Sequence, residues 1–77
     1  MTGPHLTRFF FHVVGDRQSY RDDQGEVFST IQAAQNHGIR IAHELRHDNY
    51  QGCTVRITDA AGTEVARVPI GGQSVMK

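Results

Sequence analysis

The stretch Thr7-Arg8-Phe9-Phe10-Phe11-His12-Val13-Val14 decides the reading of this chain. Nearly every residue is aromatic or β-branched, the side chains that fit a pleated strand. Alternation sends Phe9, Phe11 and Val13 to one face and Phe10, His12 and Val14 to the other. Apolar side chains on both faces predict a central strand. Gly15-Asp16 ends it, and residues 18–21, with Tyr20 their only large apolar side chain, read as the return strand of a hairpin. Asp22-Asp23-Gln24-Gly25 reads as a turn, because Asp bonds its own backbone and Gly supplies positive φ. Glu26-Val27-Phe28 then leads into a helix.

Ser29 with Gln32 three residues on fits a capping box, with Phe28 before it as a staple. Ile31, Ala34, Gly38, Ile41, Ala42 and Leu45 follow at helical spacing and form one apolar sector. Gly38 lies near the middle of that sector. A glycine costs a helix about 1 kcal/mol against alanine, so Gly38 predicts a close approach to whatever the helix covers. The helix should end between His47 and Asn49, before Gly52.

The last part reads as a second hairpin. Cys53, Val55 and Ile57 alternate with Thr54, Arg56 and Thr58, and Asp59-Ala60-Ala61-Gly62 fits a type I turn. Two registers compete for the return strand. A four-residue loop puts Ala66, Val68 and Ile70 on the face of Val55 and Ile57, whereas a bulge at Gly62 puts Val65 there. The first collects more apolar area and is preferred. Pro69 suggests an edge or a strand end. The order is β-β-α-β-β, an α+β fold with a four-stranded antiparallel sheet and one helix packed on one face. Residues 7–70 make the domain, and residues 1–6 and 71–77 read as loose termini.

Composition narrows the function. The 77 residues carry eight Lys plus Arg against eight Asp plus Glu, so the net charge is zero. That disfavours a basic nucleic-acid module, and no apolar run is long enough to cross a membrane as a helix. The one cysteine, Cys53, permits no internal disulfide and reads as a packing thiol rather than a nucleophile. A cytoplasmic location is the default expectation.

Arg8-Phe9-Phe10-Phe11-His12 resembles the start of a family of small uncharacterised bacterial proteins, the domain of unknown function 6894 type. The resemblance runs on through Asp22-Asp23-Gln24-Gly25-Glu26, Ala33-Ala34, Val55-Arg56-Ile57-Thr58-Asp59, Gly62 and Val68-Pro69-Ile70. A departure is Cys53, near a position where that family often carries Trp. The resemblance implies the fold and no catalytic residues.

His43-Glu44-Leu45-Arg46-His47 spells H-E-x-x-H, which in zinc hydrolases sets two ligands one turn apart and a general base between them. Here the two histidines fall opposite the apolar sector. Asp48 and Asp59 are the available third ligands, neither at a characteristic spacing. A metal-dependent hydrolase therefore ranks third, with adventitious metal binding by His43 and His47 beside it. Second is a nucleic-acid-binding or antitoxin-like regulator using Arg40, His43 and His47 on the polar helix stripe. One helix covers only one sheet face, which leaves the other, carrying Phe10 and Val14 or Phe9 and Phe11, partly exposed; Phe10, His12 and Val14 are the preferred set for a partner. The preferred reading is a non-catalytic interaction or regulatory module without cofactor, acting as a homodimer or docking another protein through those three residues.

Overall fold

The computed structural model describes residues 6–47, 50 and 52–71. The expected loose termini, apart from Leu6 and Gly71, lie outside that range, as does Asp48. The chain runs β1 (Thr7–Val14), β2 (Ser19–Tyr20), β3 (Glu26–Phe28), α1 (Ile31–Leu45), β4 (Thr54–Thr58) and β5 (Glu64–Pro69). All strand pairings are antiparallel, in the order β2-β1-β4-β5, with β3 also on β1. The eight-residue aromatic stretch is a central strand, as its two apolar faces predict.

Residues 26–28 are a strand rather than a lead-in. Thr7, Arg8 and Phe9 face Phe28, Val27 and Glu26, while Val13 and Val14 face Tyr20 and Ser19. β2 and β3 thus occupy the same edge of β1, one beyond the other, and the Asp22–Gly25 segment interrupts them. Its turn residues were legible; its role as a break within one edge was not. Gly25 turns there at φ +70°, and a Cβ on it would lie 2.6 Å from the Phe9 carbonyl oxygen.

The helix starts one residue later than its capping signal suggests. Thr30 is the N-cap and its hydroxyl accepts from the Ala33 amide at 3.0 Å, so Ser29–Gln32 is not the capping pair. The helix ends at Leu45, with Arg46 as its cap. Ala34, Gly38 and Ala42 are its buried face and lie over β4 and β5. A Cβ on Gly38 would stand 2.7 Å from Ile57 Cδ1, which is the close approach its position implied. Phe9, Phe11, Val13, Val55 and Ile57 bury themselves under the helix, and Phe28 and His37 pack edge-on to Phe11.

The β4–β5 hairpin resolves its register with two irregularities. Gly62 N–H donates to Asp59 O and Asp59 N–H to Thr63 O, a type I turn with Gly62 at φ +87°. Continued regularly, that start would place Val65 opposite Ile57. A bulge at Val65 intervenes, so Ala66 pairs with Ile57 and Val68 with Val55. The preferred four-residue loop, which would pair Thr58 with Thr63, is not formed: the bulge at Gly62 pairs Thr58 with Glu64, and the second bulge at Val65 then returns Ala66 and Val68 to the face of Val55 and Ile57. Ile70 extends the ladder by pairing with Cys53. Cys53 is buried, and its sulfur packs against Gly15 so closely that a Cβ there would stand 2.5 Å from it.

Candidate functional site: the uncovered sheet face

Alternation along β1 puts Arg8, Phe10, His12 and Val14 on the face away from the helix. Cross-strand pairing adds Val27 beside Arg8, Arg56 beside His12 and Thr58 beside Phe10. This face holds a shallow concavity of about 480 Å³, lined by Phe10, His12, Val14, Asp22, Arg56 and Thr58 among others. The three residues expected to meet a partner are thus neighbours on one surface. Phe10 and His12 stack nearly parallel, with centroids 6.4 Å apart.

A chain of hydrogen bonds ties the interrupted edge to this face. Where the edge breaks, the Phe11 amide has no strand partner; it donates instead to Asp22 Oδ2 at 3.0 Å. Asp22 Oδ1 accepts from the Gln24 and Gly25 amides at 3.1 and 3.0 Å. The Asp22 amide donates to His12 Nδ1 at 3.1 Å, and His12 Nε2 lies 3.1 Å from Thr58 Oγ1. A neutral imidazole that accepts at Nδ1 carries its proton on Nε2 and donates it to Thr58. Burial pushes the Asp22 carboxyl up, but the Gly25, Phe11 and Gln24 amides, helped by nearby His12, outweigh it and hold it below the ordinary carboxylate range.

The carboxylate does not touch the imidazole of His12 through any of these bonds, so the set is not a hydrolytic triad. On β5, Glu64 is clamped between Arg67 (2.7 and 2.8 Å) and Arg56 (2.8 Å). Those bonds hold its pKa down to about 2. Arg8 reaches the Gln24 carbonyl at 2.8 Å. The Asp22 turn bonds and the Glu64–Arg67 pair are local, but the bonds of Asp22 to Phe11, of His12 to Asp22 and Thr58, and of Arg56 to Glu64 join residues 8 to 46 positions apart and left no sequence signal.

The second set of residues lies elsewhere. Arg40 and His43 are exposed on the helix, which stops short of the expected His47–Asn49 end, so His47 is exposed just past its cap; the two imidazoles are 6.1 Å apart between centroids. Among the described residues no three His, Cys, Asp or Glu side chains are placed to hold a metal. Asp59, weighed as a third ligand, commits Oδ1 to the Ala61 and Thr63 amides.

A family model described as a domain of unknown function (DUF6894) matches residues 8–71. The chain belongs to this family. The description of DUF6894 assigns it no activity, and the match begins at Arg8, ahead of the aromatic run, and ends just past β5. No curated protein and no solved structure matches the chain. No helix among the described residues is long and apolar enough to cross a membrane.

Proposed function

We propose that this DUF6894 chain is a non-catalytic interaction module that forms a face-to-face homodimer through the uncovered sheet face. The observation that carries the reading is that, among the described residues, three of the six exposed large apolar side chains, Leu6, Val14 and Val27, line up with Phe10 on one sheet face, while of the other three Ile31 and Ile39 are on the helix and Tyr20 on β2. Val14 and Val27, each 39% exposed, share that face with half-buried Phe10, and Leu6, 63% exposed, continues the same alternation. Such a patch on a small domain favours a partner.

Two further features support stacking over edge-to-edge pairing. β5 is blunted by the Val65 bulge, by Glu64 and Arg67, and by Pro69; the opposite edge is broken at Asp22. The face also carries both charge signs, since Arg21, Arg56, Asp22, Asp23 and Asp59 all line its concavity. An isologous interface needs that self-complementarity, because each patch meets its own copy. The polar lining supports a role without chemistry: His12, Asp22, Thr58 and Glu64 already engage their bonding groups within the fold. A reduced, buried Cys53 suits a cytoplasmic setting.

Light scattering at micromolar concentration tests the reading. The wild type should have twice the chain mass, and Val14→Asp with Val27→Lys should have one chain's mass with an unchanged circular dichroism spectrum. A monomeric wild type overturns the proposal. Salt-sensitive binding to nucleic acid, abolished by Arg40→Ala, would instead favour the helix stripe.

A further inference from the structure

We propose that His12 is a proton-sensitive latch on this face, closed while its imidazole is neutral and opened when the ring takes a second proton. The latch deepens the dimer reading and rests on it only for its consequence.

The geometry that carries it is the Asp22 amide on His12 Nδ1 at 3.1 Å, with Nε2 engaged by Thr58 at the same distance. An imidazolium has two donors and no acceptor. Protonation therefore sets N–H against N–H at Asp22. The adjacent Asp22 carboxylate becomes the ring's natural counter-charge, yet it already serves the Phe11, Gln24 and Gly25 amides. Turning toward the ring draws the carboxylate off those amides, so one proton loosens the break between β2 and β3.

Charged groups face His12 from each neighbouring element. Arg56 lies directly across on β4 and opposes a second charge, though Glu64 neutralises it while also holding Arg67 on β5. Arg21 and Asp23, 3.7 Å apart, flank Asp22, and Asp59 closes the turn beyond β4. Arg8, on the same strand, grips the segment through the Gln24 carbonyl. The helix packs on the other side of the sheet.

The segment borders the docking surface. A Cβ on Gly25 would lie 3.0 Å from Phe10 Cδ2, so the turn lies against the Phe10 ring. Opening it deforms the surface on which two copies would stack, and the dimer loosens in mild acid.

Nuclear magnetic resonance on the labelled full chain tests the latch. At about pH 8 the His12 ring should be the Nε2–H tautomer; at about pH 5.5, below an ordinary imidazole's range, protection of the Asp22 amide should fall. The expected loss, corrected for intrinsic exchange, is about tenfold, the weight of one part-buried hydrogen bond. His12→Asn keeps an acceptor oxygen near the Nδ1 position without titrating, and should hold that protection flat. His37→Gln should leave the wild-type response in place. An Nδ1–H tautomer, or Asp22 protection that ignores pH in the wild type, overturns the latch with no variant required.

Light scattering at the same two pH values separates the two proposals. Dissociation in mild acid by the wild type but not by His12→Asn supports the regulation. An open latch on an unchanged dimer overturns the regulatory link. A monomer at both pH values overturns the dimer reading, while the resonance data still decide the latch.

Discussion

Asp22 shows how much one side chain can organise. Its carboxylate replaces a missing stretch of strand by accepting from the amides of Phe11, Gln24 and Gly25. Asp22→Ala leaves the part-buried Phe11 amide without an acceptor and should cost about 2 kcal/mol, measured by urea unfolding. A loss below about 0.5 kcal/mol would mean water serves that amide equally well. The carboxyl is held below its ordinary 3.8, so its contribution is complete above that value and disappears as pH falls through the folded-state pKa. Glu64 behaves the same way, from its ordinary 4.5 down to about 2. Melting temperature should therefore drop in strong acid, and Asp22→Ala should flatten part of that drop.

At the scale of elements, Gly38 sets how near α1 lies to the sheet. Alanine there gains about 1 kcal/mol of helix propensity, but its methyl meets Ile57 Cδ1 at 2.7 Å. Ile57→Val removes that carbon and by itself costs about 1 kcal/mol. Gly38→Ala should therefore stabilise the Ile57→Val background by more than it stabilises the wild type. Additive effects in a double-mutant cycle would count against the contact. Gly38 was legible because a glycine inside an apolar helical sector gives up helix propensity, a loss that close packing can offset. β1 was legible from equally local pattern, since both of its faces are apolar. The β3 pairing was not, because three residues carry too little pattern to show that they share an edge with β2. The bulge at Val65 was hidden too. A valine suits either face, and only the sheet's demand for Ala66 and Val68 beneath the helix determines where the extra residue goes. The candidate site divides likewise: Phe10, His12 and Val14 follow from alternation, whereas the Asp22–His12–Thr58 chain depends on which strands become neighbours.

For the whole molecule, the asymmetry between the two sheet faces matters most. One helix, with Ala34, Gly38 and Ala42 pressed onto the strands, covers a single face. A domain this small buries a modest share of its surface, so a second copy on the open face would add apolar burial. Apparent stability should then rise with protein concentration. A melting temperature independent of concentration over two decades would contradict a stable dimer.

The packing of Cys53 against Gly15 gives the chain a built-in gauge. The thiol is 6% exposed, at the junction of β4 with the first hairpin, and it is the only thiol in the sequence. A thiol reagent can reach it only when that junction opens, so a single colour change counts opening events in an unmodified protein. If the edge at Asp22 and the junction at Cys53 open as one unit, Asp22→Ala should speed labelling by the factor that its lost stability implies. If they open separately, labelling will keep the wild-type rate, and the first hairpin will have two independent hinges.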